Sequence, residues 1–390
     1  MRIKLSEVSK KISKGSTPRG KVNYSKNEKN FFLRVTDMVD LADVINSEFT
    51  LSEEDINKNK MKLWPINTVL VSIEGTVGKI SILKKEMYFN QAVAGIIPNE
   101  EIINPRYLMY YLRTTPVFNS ILKGTIMPAL RLGDLSEIEI EVPDMNIQNK
   151  IVSIIDSIIN KMDLNNKINN SLEEQLRLYF EENILKKLNN DNTYECSLYD
   201  QFDVIDNRGK TPPLVEYSKY PIIDVKVLSG AERVINYNNC LKYVDKETYD
   251  TFFRSGHPKL YDTLLSTVGS LAELKIYLEN IGTIAQNVVA LRPKNDYPLF
   301  MYQYILSLRQ RLTSYDIGSV QPSIKVTQFM KEIIKMPNDK ELIYEFENLA
   351  KSNTLKMKNI MMENRYLEQL RDTLLPKLMN GEIDLDNIEI

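Results

Sequence analysis

The chain has 390 residues, 43% hydrophobic and 26% charged, an ordinary globular composition with length for about two to four domains. Lys and Arg number 50 against 52 Asp and Glu, which excludes a uniformly basic nucleic-acid coat. Cys196, Cys240 and a single His257 exclude a disulfide scaffold or a Cys/His zinc site within the chain, and no stretch approaches the ~20 apolar residues of a membrane span.

Residues 1–34 carry ten basic side chains against Glu7 and Glu28, with no apolar leader, so the expected location is the cytoplasm and not a membrane. Within that run Lys14, Gly15, Ser16, Thr17 and Arg19 form a turn that exposes backbone N–H groups between cations, with Lys21 and Arg34 beyond it. A solvated Lys-rich surface is the bland account, and the turn between cations raises phosphate contact above it. Short β-branched runs follow at Thr68–Ile73, Ile80–Leu83 and Ile138–Val142, punctuated by Gly, Pro and Asn, and predict strands and turns. Gly75 to Lys79 lacks the spacing and the Ser/Thr of a nucleotide-binding loop. Tyr107–Leu112 has helical spacing that suits a core. Lys123 and Arg131 flank a Gly/Pro turn that is a further DNA candidate or a structural hairpin.

After Pro143 the character changes. From Ile147 to about Leu188 glycine is absent and Ile151, Ile154, Ile158, Ile168 and Leu172 recur at three-four spacing. The second half then repeats the first at an offset of about 194. Gly15 to Pro18 returns as Gly209 to Pro212, Val69–Gly75 as Thr263–Gly269, Gln91–Pro98 as Gln286–Pro293, Gly124–Pro128 as Gly318–Pro322, Ile138–Pro143 as Glu332–Pro337, and Glu174–Arg177 as Glu368–Arg371. The repeated turns supply Arg208, Lys210 and Thr211, then Gln321 and Lys325, as further DNA-binding candidates. Phe300–Ile305 repeats the aromatic helix. From Leu342 to about Met379 a second long helix is expected, with Leu349, Ile360, Leu367 and Leu370 on its stripe and Pro376 and Gly381 as its stop.

Each helix would run roughly 55–65 Å, too long for one small domain to cover, so the two are expected to pair as an antiparallel coiled coil. Asn165, Lys161, Asn353 and Lys356 on or beside the stripe weaken packing but can fix register. The resulting fold class is α+β: two similar mixed α/β domains, 1–145 and 191–338, joined by helices in 146–190 and 339–390 about a pseudo-two-fold axis. Catalytic chemistry has little to draw on. His257 lies in a loop-like segment, Arg254–Pro258, and Asp262, Glu273 and Lys275, the nearest approach to a metal-nuclease set, align with Thr68, Lys79 and Ser81 in the first half.

The segment from Lys4 to Val8 leading into Gly15–Pro18, the Leu70–Gly75 run, the Gly124–Pro128 turn, Gln148–Ile151 and the terminal Leu374–Ile383 together resemble the specificity subunit of type I restriction-modification systems, across both halves of the chain. That resemblance implies a non-catalytic subunit with two target-recognition domains, each reading one half of a split sequence in double-stranded DNA. The paired helices would act as the ruler and dock two adenine methyltransferase subunits, with restriction subunits as possible additions. S-adenosylmethionine, ATP and magnesium would then belong to the partners, with no cofactor or metal in this chain. Residues 19–66 barely align with 213–261, which suits two domains reading different half-sites. The competing classes are a self-contained DNA-modifying enzyme or nuclease with duplicated DNA-binding domains, which predicts turnover by the isolated chain, and a helical scaffold, which predicts no DNA affinity.

Overall fold

Strands with apolar side chains on both faces sit at sheet centres, and the strands of this chain sort by that rule. A computed structural model describes residues 2–20, 29–116, 118, 129–189, 192–316 and 322–385. They fall into two compact units, Met1–Lys161 with Leu367–Ile390, and Met162–Tyr366.

In the first unit the elements run β1 (Arg2–Lys4), β2 (Ser9–Lys14), β3 (Phe31–Leu33), β4 (Ala42–Val44), β5 (Phe49–Thr50), α1 (Glu53–Asn59), β6 (Val69–Ser72), β7 (Ile80–Leu83), β8 (Tyr88–Phe89), β9 (Val93–Pro98), α2 (Pro105–Thr114), α3 (Leu132–Ser136) and β10 (Glu139–Glu141). The main sheet has the order β2-β9-β6-β7-β4. Central β6 is buried at every position, whereas edge strand β2 carries Lys10, Lys11 and Lys14, which discourages pairing with a foreign strand. β3 and β8 pair in parallel, and β1 closes the chain antiparallel on β10. The β6–β7 turn is tied by Ser72, whose Oγ donates to Thr76 O at 2.6 Å and accepts from Lys79 N at 2.8 Å. Asn104 caps α2 ahead of Pro105, and Tyr107, Leu108, Met109, Tyr110 and Leu112 all enter the core.

α4 (Met145–Phe180) follows, and the second plan then repeats the first: β11 (Thr193–Ser197), α5 (Leu198–Gln201), β12 (Phe202–Asp206), β13 (Ile222–Ile223), α6 (Val225–Leu228), α7 (Lys246–Thr251), β14 (Thr263–Ser266), β15 (Leu274–Ile276), β16 (Thr283–Ile284), β17 (Val288–Pro293), α8 (Pro298–Ser307), α9 (Arg309–Thr313), α10 (Val326–Phe329), β18 (Ile333–Pro337) and α11 (Lys340–Met379). The sheet order β12-β17-β14-β15, the parallel pair β13-β16 and the closing pair β11-β18 are the first unit's arrangement again. Ser266 even repeats the turn tie, donating to Ser270 O at 2.6 Å and accepting from Glu273 N at 2.8 Å. Two units with sheets, flanking helices and long helices give the expected α+β class.

Both long helices contribute to each unit. In the first, Ile151 and Ile155 of α4 share a core with Leu375, Leu378 and Met379 of α11. In the second, Leu176 and Phe180 pack with Phe346, Ala350 and Met357. Here the register is polar: Asn165, 1% exposed, donates to Glu363 Oε2 and Asn364 Oδ1, both at 2.8 Å, and Asn353 donates to Gln175 Oε1 at 3.1 Å. As one helix advances from 165 to 175 the other recedes from 363 to 353, so within this unit they run antiparallel.

Two sequence expectations need correction. Pro376 does not stop α11, which continues to Met379 and ends at left-handed Gly381 (φ 69). Burial of Leu375, Leu378 and Met379 outweighs the roughly 3 kcal/mol that an interior proline costs. The apolar stripe is also narrower than the spacing suggests: Ile151 and Ile158 are buried, Ile154, Leu172, Leu349, Ile360 and Leu367 are half-buried, and Ile168 and Leu370 face solvent at 39% and 46% exposure. A helix pair covers one seam only, and between Ile158 and Leu176 that seam is occupied by Asn165.

Candidate nucleic-acid interface

Among the described residues, the candidate cations Lys14, Arg34 and Arg131 come to one end of the first unit's sheet, where a turn leaves β2. Gly15 N donates to Val93 O at 3.0 Å and Ser16 N to Phe89 O at 2.9 Å, which presses the turn onto the β8–β9 connection. A Cβ on Gly15 would collide with the carbonyl oxygens of Phe89 and Asn90, so close approach dictates the glycine. Gly209, its counterpart, has open space but a φ of 134, so there backbone conformation dictates it.

Thr17 hydrogen-bonds Gln91 through its hydroxyl, and Arg19 N donates to Asn59 Oδ1 of α1 at 2.7 Å, leaving the Lys14, Ser16, Thr17 and Arg19 side chains exposed. Lys14 pairs with Glu74 at 3.0 Å; Glu74 also bridges Ala129, two residues before exposed Arg131. Arg34 follows Leu33, whose carbonyl receives Asn90 N; it pairs with Glu48 at 2.7 Å and lies 4.0 Å over the Phe49 ring. These partners come from outside residues 1–34, so the sequence excess overstates the bare positive charge. Exposed pairs of this kind contribute about 0–1 kcal/mol, and a phosphate can displace the carboxylate.

The second unit assembles the same parts. Exposed Arg208, Lys210 and Thr211 follow β12, with Arg208 Nε 2.8 Å from Asp206 Oδ2. A cavity of about 450 Å³ opens beside them, lined by Arg208, Thr211, Lys242, Gln286 and Asn287 among others. Lys242 is held to Asp224 at 2.8 Å. The β14–β15 turn adjoins the segment before α10: Gly269 N reaches Pro322 O at 3.1 Å and Ile324 N reaches Thr267 O at 2.8 Å, which brings exposed Lys325 to the same end. Lys21, Lys123 and Gln321, with the Gly124–Pro128 turn and Gly318 to Gln321 of its repeat, lie outside the described residues.

Sequence reasoning did not single out Lys242 or the two arginines that fasten each sheet-bearing layer to a long helix. Arg106 bridges Asp43 at 2.5 Å and Asp156 at 2.8 Å in the first unit, and Arg233 grips Glu173 in the second. Neither sits in a recognisable motif; only the fold reveals its partner.

The groups considered for catalysis serve structure. His257 stacks on Tyr249 at 3.7 Å, with its nitrogens 2.9 Å from Thr283 Oγ1 and 3.0 Å from Tyr249 O; burial holds its pKa below the usual value. Asp262 pairs with Arg292 at 2.8 Å and Glu273 with Arg309 at 2.9 Å, while buried Lys275 donates to backbone carbonyls at Gly230 and Glu232. Cys196 and Cys240 are free thiols, and burial raises the Cys240 pKa to about 12. Among the described residues no three His, Cys, Asp or Glu side chains are grouped to hold a metal, and no helix is long and apolar enough to cross a membrane.

Residues 1–174 match the family model described as the type I restriction modification DNA specificity domain. The MjaIX specificity subunit of Methanocaldococcus jannaschii is 22% identical, over 88% of this chain and 84% of its own. The HindI specificity subunit of Haemophilus influenzae is 25% identical, over 74% and 79%. The crystal structure of the type I restriction-modification S subunit from M. genitalium shares the fold, with a TM-score of 0.54 at 16% identity over 97% of this chain and 95% of that one. The chain is similar to type I restriction-modification specificity subunits over most of its length, and residues 1–174 match their DNA specificity domain.

Proposed function

We propose that this chain is the DNA sequence-recognition subunit of a type I restriction-modification complex, without catalytic chemistry of its own. Residues 1–145 and 191–338 act as target-recognition domains, each reading one half of a split sequence in double-stranded DNA. The helical segments 146–190 and 339–390 set the unread spacer and dock two adenine methyltransferase subunits, with restriction subunits joining that core in the cytoplasm. S-adenosylmethionine, ATP and magnesium are bound by those partners.

The observation that carries this reading is the duplication of one loop cluster: a Gly-x-Thr-Pro turn with cations beside a glutamine-bearing turn, at the same sheet end in each unit. Phosphate contacts from such cations give affinity and position, while base edges met in the groove by neighbouring side chains give sequence. Leu164, Leu178, Leu355 and Tyr366 of the long helices are 53%, 45%, 59% and 66% exposed, apolar surface of the kind that supports docking of a partner. Selection from a random duplex pool by the chain assembled with its methyltransferase tests the proposal. Two short fixed elements at constant separation are expected; a contiguous element, or no enrichment, contradicts it.

A further inference from the structure

In each unit the glutamine turn sets an exposed glutamine next to an asparagine whose side-chain carbonyl oxygen is buried and meets no donor among the described residues, before the glutamine in one unit and after it in the other. They are Gln91 with Asn90 in the first unit and Gln286 with Asn287 in the second. Buried acceptors are rarely left unpaired, and where they are, a ligand that brings the donor is one resolution. Asn287 lines the cavity beside Arg208 and Thr211, and its backbone carbonyl is fixed by Thr267, through N at 2.9 Å and Oγ1 at 3.3 Å. Its backbone is therefore anchored while its Oδ1 is held by nothing, and turning the amide toward the cavity breaks no bond at that oxygen.

We propose that Asn287 reads one base of the second half-site, its Oδ1 accepting from the exocyclic amino group of an adenine and its Nδ2 donating to N7. Gln286 lies at the rim, and Arg208 and Lys242 bring the DNA backbone within reach. An asparagine amide offers an acceptor and a donor side by side, complementary to the N6 amino donor and N7 acceptor that an adenine edge presents in the major groove. Asn287 aligns with Ala92 in the first unit, and Asn90, which precedes Gln91, aligns with Ala285, so the assignment is specific to the second half-site. This inference rests on the DNA-recognition reading proposed above and assigns a residue to it.

The test is selection from random duplex DNA by the assembled complex, carrying wild-type chain, Asn287→Leu or Asn287→Asp, with melting of each variant measured beside it. Wild type is expected to fix an adenine at one position of the second half-site. Asn287→Leu removes an unpaired acceptor, so its melting temperature stays level or rises, while discrimination at that position falls roughly ten- to hundredfold. Asn287→Asp, an acceptor only, shifts that position toward cytosine. The first half-site and the salt dependence stay as in wild type. A second half-site unchanged by both variants overturns the assignment while leaving DNA recognition standing; a wild-type complex that enriches no sequence overturns both.

Discussion

Replacing Arg233 probes how the second unit's sheet layer is fastened to its helices. The residue follows α6 and is 0% exposed. Nε and Nη2 meet the two oxygens of Glu173 on α4 at 2.6 and 2.8 Å, Nη2 also meets Gln303 Oε1 on α8 at 2.9 Å, and Nη1 lies 3.4 Å from Thr354 Oγ1 on α11. Arg233→Met leaves the Glu173 carboxylate and the Gln303 carbonyl without this donor. Breaking a buried pair costs about 3–5 kcal/mol; Glu173 retains 22% exposure and regains some water, which favours the lower end. The Gln303 oxygen adds about 1 kcal/mol, for a loss near 4 kcal/mol. Arg233→Met with Glu173→Leu removes both charges, and the double variant is expected to recover most of that loss, because apolar side chains of similar volume replace buried pairs at little cost. Urea unfolding followed by far-ultraviolet circular dichroism measures both. Single and double losses that simply add, or a single variant within about 0.5 kcal/mol of wild type, would refute the reasoning.

Further outcomes follow from the same geometry. Asn165→Ala removes two hydrogen bonds, one to a carboxylate, and is expected to cost about 2–4 kcal/mol in the same assay; no change would mean that the ladder does not set the helix register. Burial pushes the Glu347 carboxyl up from 4.5 to about 7, against the Phe300 N–H that donates to it at 2.8 Å. Its folded pKa is raised, so this contribution to stability is full below pH 4.5 and is lost as pH rises through 7, by up to about 3 kcal/mol. Glu347→Gln should remove that slope from unfolding measured between those limits; an unchanged slope assigns it to other groups. Lys14→Ala with Arg19→Ala is expected to weaken binding to all DNA sequences alike and to reduce the salt slope by about two; a change confined to one sequence would contradict a phosphate role.

Much of this was legible in the sequence. The repeat exposed the duplicated units, since Gly15 and Gly209 are each required by the backbone, one through contact and the other through its φ. Unbroken helical spacing located α4 and α11, because long helices without glycine advertise themselves. What stayed hidden depends on partners distant in sequence. Glu74, Glu48 and Asp206 draw in Lys14, Arg34 and Arg208, so local charge counts could not say which cations stand free. Pro376 looked like a stop because propensity is local, while the burial of Leu375, Leu378 and Met379 is tertiary. Asn165 was visible as a polar interruption of the stripe, but its role required Glu363 and Asn364, almost two hundred residues away.

Division of labour between the two proposed recognition domains is tested most directly by exchanging residues 19–66 for those of a relative with a different target, then sequencing modified adenines in the DNA of a host that carries the chain and the proposed methyltransferase partner. The wild-type chain should mark a split motif with a constant unread spacer. The exchange should rewrite one half of that motif and leave the other half and the spacer intact. A motif that is contiguous, unchanged by the exchange, or altered in both halves would contradict two independent readers joined by a helical ruler.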